Sequence, residues 1–441
     1  MYRYILNVVI VAIAFMLPAF YNGYIIPSAD AGTYIEAAMA NTYPADRPVF
    51  YAWLLKLMSL GATLWLAVAL QCVVLAIAFT DFVRVLLPRI SLGLLAALAV
   101  SVSAFTLAGW FACQLMPDIL TPVLFLSIIN YITATCKHAR IGYLLLMFIA
   151  AICHNSHLIV LSSFVLVLLL IRLFGYKTVT TKHILSITVI SLAAWFTVSV
   201  PNYIRYNKFV PSVYSHVFIM GKLVENKLVN RYLNDHCNTE NLQYCAYKNS
   251  LGNHAWEFVW SAESPLQQLG GWDACRKENE QIISGILSDV HYYPYLASSA
   301  ANDTWRQLLQ VEIDRSYELP WFVYDSETPI YKVINTYFPK EIKQLEACRV
   351  NKHTFHTALL SNVYIYVILL STIAAVFLYK FTDGRFLAIY IAVVLYLIIN
   401  AFVTANFANV LSRLNARAIW LLPCVNFILL AKVLIRNKKV N

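Results

Sequence analysis

Ten mostly apolar stretches recur along the chain, at 4–22, 63–87, 91–112, 119–135, 141–154, 157–174, 184–203, 358–380, 386–407 and 418–436. Most approach the roughly 20 residues that cross a bilayer as a helix. Backbone groups inside hydrocarbon have no water to bond, so spans of this kind satisfy themselves as helices. The residues are 60% hydrophobic and 13% charged, against about 25% charged in a soluble domain. The expected fold class is therefore an all-α polytopic membrane protein of about ten transmembrane helices. The first run lacks a small-residue cleavage site and reads as a retained helix. The net charge of +10 sits in short clusters between the runs rather than on one face, so nucleic acid is not an expected partner.

Orientation follows from the bias of Lys and Arg toward cytoplasmic loops. One set of alternate loops holds Arg3; Arg84 and Arg89; Lys137 and Arg140; Arg172, Lys177 and Lys182; Lys380 and Arg385; and Arg436, Lys438 and Lys439. That set reads as cytoplasmic, with both termini, in a membrane of the bacterial inner-membrane type. The opposite set holds the loop 23–62, the turn Gln114–Asp118, the turn His154–His157, the segment 204–357 and the stretch around Arg413 and Arg417. The chain thus divides into an N-terminal membrane module, 1–203, an extracytoplasmic and mainly helical domain, 204–357, and a C-terminal membrane module, 358–441. A connector of that length is uncommon unless it carries structure of its own.

Four cysteines, Cys237, Cys245, Cys275 and Cys348, lie in that segment. On the external side they would meet an oxidising compartment. Closeness favours Cys237 with Cys245, leaving Cys275 with Cys348, though four cysteines allow three pairings.

Acidic residues gather on the external face. Asp30 opens a short helix in loop 23–62, where an acid can cap or meet the positive dipole end. It shares that loop with Tyr34, Glu36, Asp46 and Arg47, and Pro48 to Met58 reads as an amphipathic interfacial helix. Asp118, in Met116-Pro117-Asp118, stands at the external mouth of the fourth span. A carboxylate there is costly unless it faces water, a partner or a cavity. Arg413 and Arg417 precede the last span against the usual charge bias, and a planar guanidinium binds phosphate bidentately. Snorkelling to ordinary lipid headgroups is the plainer explanation. His154 and His157 are three residues apart, but a metal site needs three or four ligands, so no metal is assigned and the pair is read as binding substrate or forming a polar turn.

These residues together resemble the GT-C superfamily of membrane glycosyltransferases, in particular the bacterial relatives of protein O-mannosyltransferases and of the lipid A aminoarabinose transferase. Asp30 with Tyr34, then Arg47-Pro48-Val49-Phe50-Tyr51, resemble that family's first external loop. Met116-Pro117-Asp118-Ile119 resembles its later acidic position, and Arg417 before Trp420-Leu421-Leu422-Pro423 its late arginine. The likeness spans roughly the first 135 residues and a short C-terminal stretch. Ala31 stands where many relatives carry a second acid, which leaves a divalent metal unsupported and no cofactor expected. The segment 204–357 also precedes the last three spans instead of following them.

The resemblance implies transfer of a sugar from a polyprenyl-phosphate carrier to a glycan, lipid or protein acceptor on the extracytoplasmic side. Asp30 would be the general base and external arginines would bind the lipid phosphate. Tyr34, Glu36, Asp46, Arg47, Asp118, His154, His157, Arg413 and Arg417 are the candidate substrate-binding residues. An O-antigen ligase or polymerase would depend instead on arginine and histidine. A lipid or glycan transporter would place its polar site near the bilayer midplane, often between repeated halves.

Overall fold

A computed structural model describes residues 2–174, 179–319 and 322–437. Lys177, Lys438 and Lys439, three of the expected cytoplasmic cations, lie outside the described residues.

Apolar side chains drive nearly all of the first half into helices: α1 (Tyr2–Asn22), α2 (Ala29–Ala40), α3 (Phe50–Ser59), α4 (Leu64–Leu86), α5 (Leu92–Phe105), α6 (Ala108–Ala112), α7 (Leu120–Thr133), α8 (Lys137–Ile152), α9 (Asn155–Leu173) and α10 (Thr181–Tyr206). On α1, Val8, Val11, Ala12, Phe15 and Ala19 are buried while Ile5, Val9, Ile13 and Leu17 are exposed. The apolar stripe that packs and the equally apolar stripe left bare mark a helix solvated by lipid rather than water. Short polar side chains set the starts: Thr63 caps α4 and Ser91 caps α5, each accepting from a backbone N–H one or two residues into the helix.

Seven helices among the described residues are long and apolar enough to cross a membrane: Tyr2–Asn22, Leu64–Leu86, Asn155–Leu173, Thr181–Tyr206, Thr357–Phe381, Gly384–Phe407 and Ser412–Arg436. The chain is a polytopic helical membrane protein. The remaining apolar runs form shorter helices, and the run at 91–112 is not one helix. Thr106 is extended (φ −130°, ψ 178°) and its hydroxyl accepts from the Ala108 N–H to start α6. The 14 residues of α5 reach about 21 Å at a 1.5 Å rise, short of the roughly 30 Å hydrocarbon thickness. No proline marks the break, so hydropathy alone runs through it.

The segment 204–357 is two bodies rather than one domain. Its first part contains α11 (Ser215–Glu225), α12 (Leu228–His236), α13 (Ala255–Trp260), α14 (Pro265–Gln268), α15 (Gly271–Ala274) and α16 (Arg276–Ser288). These close over their own core of Val217, Met220, Tyr232, Leu233, Phe258 and Ile282, and α17 (Tyr293–Leu308) then runs back to the membrane helices. The second part, with α18 (Pro329–Tyr337) and α19 (Ile342–Ala347), shares the core of the membrane helices. Glu341 ties it down: one carboxylate oxygen accepts from Tyr24 Oη at 2.6 Å and the other from the Leu64 N–H at 3.0 Å. Helix α2 lies so close to α18 that a Cβ on Gly32 would stand 3.2 Å from Ile330 Cα. The chain ends in α20 (Thr357–Leu378), α21 (Gly384–Phe407), α22 (Ser412–Ile419) and α23 (Leu421–Asn437).

That division corrects half of the expected disulfide pattern. Cys237 and Cys245 are bonded, whereas Cys275 and Cys348 are free thiols. Cys275 is buried in the core of the first body and Cys348 in the core shared with the membrane helices. Pairing the last two by elimination presupposed one domain.

Candidate functional site

The first turns of α2, α9 and α22, the loop before α3 and the end of α21 meet side chains of α10, α11 and α13 around a cavity of about 470 Å³. Asp30, Tyr34, Asp46, Arg47, His154 and Arg413 line it. Six of the ten candidate residues, drawn from three separate loops, therefore share one space.

Asp30 is at the centre. Arg413 Nη1 donates to its Oδ2 at 2.5 Å, and Arg47 Nη1 lies 3.4 Å from its Oδ1. Helix α2 gets no side-chain cap from Ser28, and Asp30 does not supply one either. Its partners are guanidinium groups, so the capping role considered for it does not describe what it does. Arg47 donates through Nε and Nη2 to Asp46 Oδ2, at 3.0 and 2.7 Å, and its guanidinium sits 5.3 Å from the centre of the Tyr34 ring. Burial pushes the Asp30 carboxyl up, but Arg413 and Arg47 pull it down by more, leaving it below its ordinary 3.8. The group is a carboxylate across the neutral range, with 27% of its side chain exposed to the cavity.

A second ion pair lies beneath this one. Arg417 Nη1 donates to Asp118 Oδ1, and its Nη2 donates to Ser156 Oγ at 3.2 Å. Both residues are fully buried and neither lines the cavity. They fasten α22 to the start of α7 and to the His154 turn, so the expected direct substrate contact is corrected to a support. Asp118 and Arg417 were legible as unusual charges, but not as partners of each other, 299 residues apart.

Two further candidates fall away from the cavity. His157 Nδ1 donates to Ala150 O and Nε2 accepts from Thr121 Oγ1, both at 2.7 Å. With both nitrogens taken and the ring fully buried, it can bind neither substrate nor metal. Glu36 accepts from Tyr337 Oη at 3.4 Å and joins α2 to α18. His154 does line the cavity; its Nδ1 accepts from the Ser156 N–H, starting α9. No group of three or more His, Cys, Asp or Glu that could hold a metal occurs among the described residues.

Sequence reading missed the residues that aim Arg413. Gln307, at the end of α17 and fully buried, pairs with both backbone groups of Leu411: Nε2 donates to Leu411 O at 2.8 Å and Oε1 accepts from Leu411 N at 3.0 Å. Asn415 Nδ2 donates to Leu308 O and Gln310 O, each at 3.0 Å. The first body of the insertion thus ends in a clamp on the turn that presents Arg413. Gln307→Leu removes both bonds to the Leu411 backbone, each worth about 1 kcal/mol net. The expected result is a lower melting temperature, measured on purified protein by thermal unfolding. Gln307→Glu, which keeps the acceptor, should fall between.

Ile159, Trp195, Phe218, Trp260, Val403 and Phe407 give the cavity an apolar stretch of wall, beside the polar Asn155, Ser212, Ser215 and Thr404. On the other flank of α10 a second hollow of about 540 Å³ is lined by Phe50, Trp53, Phe196, Val200 and Ile204. A narrow pocket lined by Arg47, Pro48, Pro201 and Arg205 lies between them. Fold and site together define a polytopic helical membrane protein with a charged cavity at one end of its helices. No family model, curated protein or solved structure matches the chain.

Proposed function

We propose that the protein is a GT-C-type glycosyltransferase of about ten passes, which moves a sugar from a polyprenyl-phosphate carrier to an acceptor on the extracytoplasmic side of a bacterial inner membrane. The observation that carries the reading is the bridging of Asp30 by Arg47 and Arg413 on the wall of one cavity. A carboxylate and two guanidinium groups with donors to spare supply the two charges that such a transfer needs.

The acceptor hydroxyl attacks the anomeric carbon and gives its proton to Asp30, while the bond from that carbon to the phosphate oxygen breaks and the electron pair leaves with the phosphate. A lipid phosphate departs already charged, so electrostatic stabilisation matters more to it than protonation. Arg47 and Arg413 fit that need by bidentate geometry. Asp30, held low, is a weak base, which suits a proton transfer that comes late, once the attacking oxygen has begun to bond. The apolar hollow beside α3 and α10 suits part of an isoprenoid tail, and Arg47 lines the narrow pocket that adjoins it.

The test is transfer of labelled sugar from a polyprenyl-phosphate donor by purified protein in lipid. His154 and Arg413 line the same cavity, which keeps an O-antigen ligase-type enzyme as the second reading. Activity that survives Asp30→Asn but not His154→Ala would select it.

The ion pair also gives the pH dependence a sign. The stability Asp30 contributes is fully present above its unfolded value and is lost as pH falls through its lower folded value. Arg413→Gln removes the larger Coulombic pull and leaves Arg47 alone to oppose burial. The acid limb of kcat/KM against pH is therefore expected to move to higher pH in that variant.

A further inference from the structure

On the opposite side of Arg413 from the main cavity lies a pocket of about 150 Å³. It is walled by Trp110 of α6, by Ser28 at the start of α2, and by Asp314, Ser316 and Phe322 from the second body of the insertion, with Arg413 forming the partition. We propose that this pocket binds a single neutral pyranose ring. The proposal rests on the glycosyltransferase reading for its place in the reaction, though not for its chemistry.

Size sets the first limit. A cavity of about 150 Å³ admits one six-membered ring, too small for a disaccharide or a lipid chain. The walls set the second. Tyr317 meets Trp110 and Phe322 edge to face, with ring centres 5.4 Å apart in each case. The Tyr317 hydroxyl is committed to Pro27 O at 2.8 Å, so this residue offers its ring. Such a wall suits the C–H face of a sugar. Charge sets the third. Asp314 disfavours an anion, Arg413 disfavours a cation, and an apolar ring would displace water from the Asp314 carboxylate and the Ser28 and Ser316 hydroxyls without replacing its hydrogen bonds, at a cost. A neutral ring bearing hydroxyls satisfies all of them, donating to the carboxylate and accepting from the guanidinium.

Asp314 is exposed, so the pocket opens to water rather than to lipid. Arg413 contacts both this pocket and Asp30, which puts a bound ring one guanidinium away from the proposed base. The ring is therefore either the sugar carried by the donor or the terminal sugar of the acceptor.

The experiment measures binding of a panel of methyl pyranosides to the full-length protein in lipid nanodiscs, by saturation-transfer NMR and tryptophan fluorescence. At least one pyranoside is expected to bind saturably. Asp314→Asn, whose side-chain oxygen can still accept from the Ser316 N–H as Asp314 does now, should weaken it tenfold or more, about 1.4 kcal/mol. Phe322→Ala should weaken it similarly, and Glu327→Gln, exposed and remote, should not. Displacement by an isoprenyl phosphoryl-sugar but not by isoprenyl phosphate assigns the ring to the donor; retention with both assigns it to the acceptor. No saturable binding across the panel, or equal affinity in wild type and Asp314→Asn, overturns the proposal. Pyranoside binding without transfer from any polyprenyl-phosphate donor keeps the pocket and sinks the transferase reading. Transfer with kcat and KM unchanged in Asp314→Asn does the reverse.

Discussion

Asp30→Asn is expected to lower kcat for sugar transfer by about 10²–10⁴-fold, the range a positioned general base contributes, with little increase in the KM for the lipid donor. The substitution is nearly isosteric, and the amide oxygen can still accept from Arg413, which now reaches Asp30 Oδ2 at 2.5 Å. What disappears is the negative charge and the site for the acceptor proton. Arg47 and Arg413 are then less neutralised, so an anionic donor binds at least as well as before. A fall in kcat without a rise in donor KM separates loss of a base from loss of a binding contact. Steady-state kinetics with labelled donor read both constants, and a variant within about threefold of wild type in kcat would remove Asp30 from the chemistry.

The second large effect falls on stability. Arg417→Leu leaves the Asp118 carboxylate buried with no cation, and breaking a buried pair by removing one partner costs about 3–5 kcal/mol. That is a large share of the 5–15 kcal/mol by which domains are stable, so the variant should yield little folded protein by detergent size exclusion and thermal unfolding. The Ser156 hydroxyl loses its guanidinium as well. Replacing both charges, Arg417→Met with Asp118→Leu, should recover most of the loss, since an apolar pair of similar volume is often neutral or better. Transfer by the recovered double variant then tells support from contact. Near-normal activity fits a pair that holds the turns in place, while an inactive but stable double variant would return Arg417 to the substrate.

Membrane class and the charged end of the molecule were readable because each rests on local signals. An apolar run of about 20 residues has one stable form in hydrocarbon, and a charge at the mouth of such a run is unusual enough to stand out. Asp30, Asp46, Arg47 and Arg413 could be picked out one by one on those grounds. Pairings could not. That Arg413 belongs with Asp30 and Arg417 with Asp118 depends on how α22 packs, and the two arginines differ by four residues, about one helical turn. Nothing local says which of the two faces the cavity.

His157 illustrates the same limit from the other side. Beside His154 in sequence it reads as half of a binding pair, yet it is consumed by Thr121 and Ala150, groups whose nearness is set by the packing of α7, α8 and α9. Gln307 is the converse: an unremarkable glutamine in a polar segment becomes the clamp on Leu411 because α17 packs along α21. The cysteines divide likewise. The pair eight residues apart, Cys237 and Cys245, was within reach of sequence spacing, while Cys275 and Cys348 were separated by a boundary between cores that sequence spacing does not reveal.

By itself the sequence determined the solvent this chain folds in, the helical form of its spans and the end at which its charges collect, because hydrophobicity and backbone hydrogen bonding act over a single turn or a single span. The tertiary structure alone decided which carboxylate meets which guanidinium, which pair stays in reach of a ligand, and where the ring-sized pocket lies. Those outcomes depend on side chains up to 383 residues apart, brought together only when helices settle against one another.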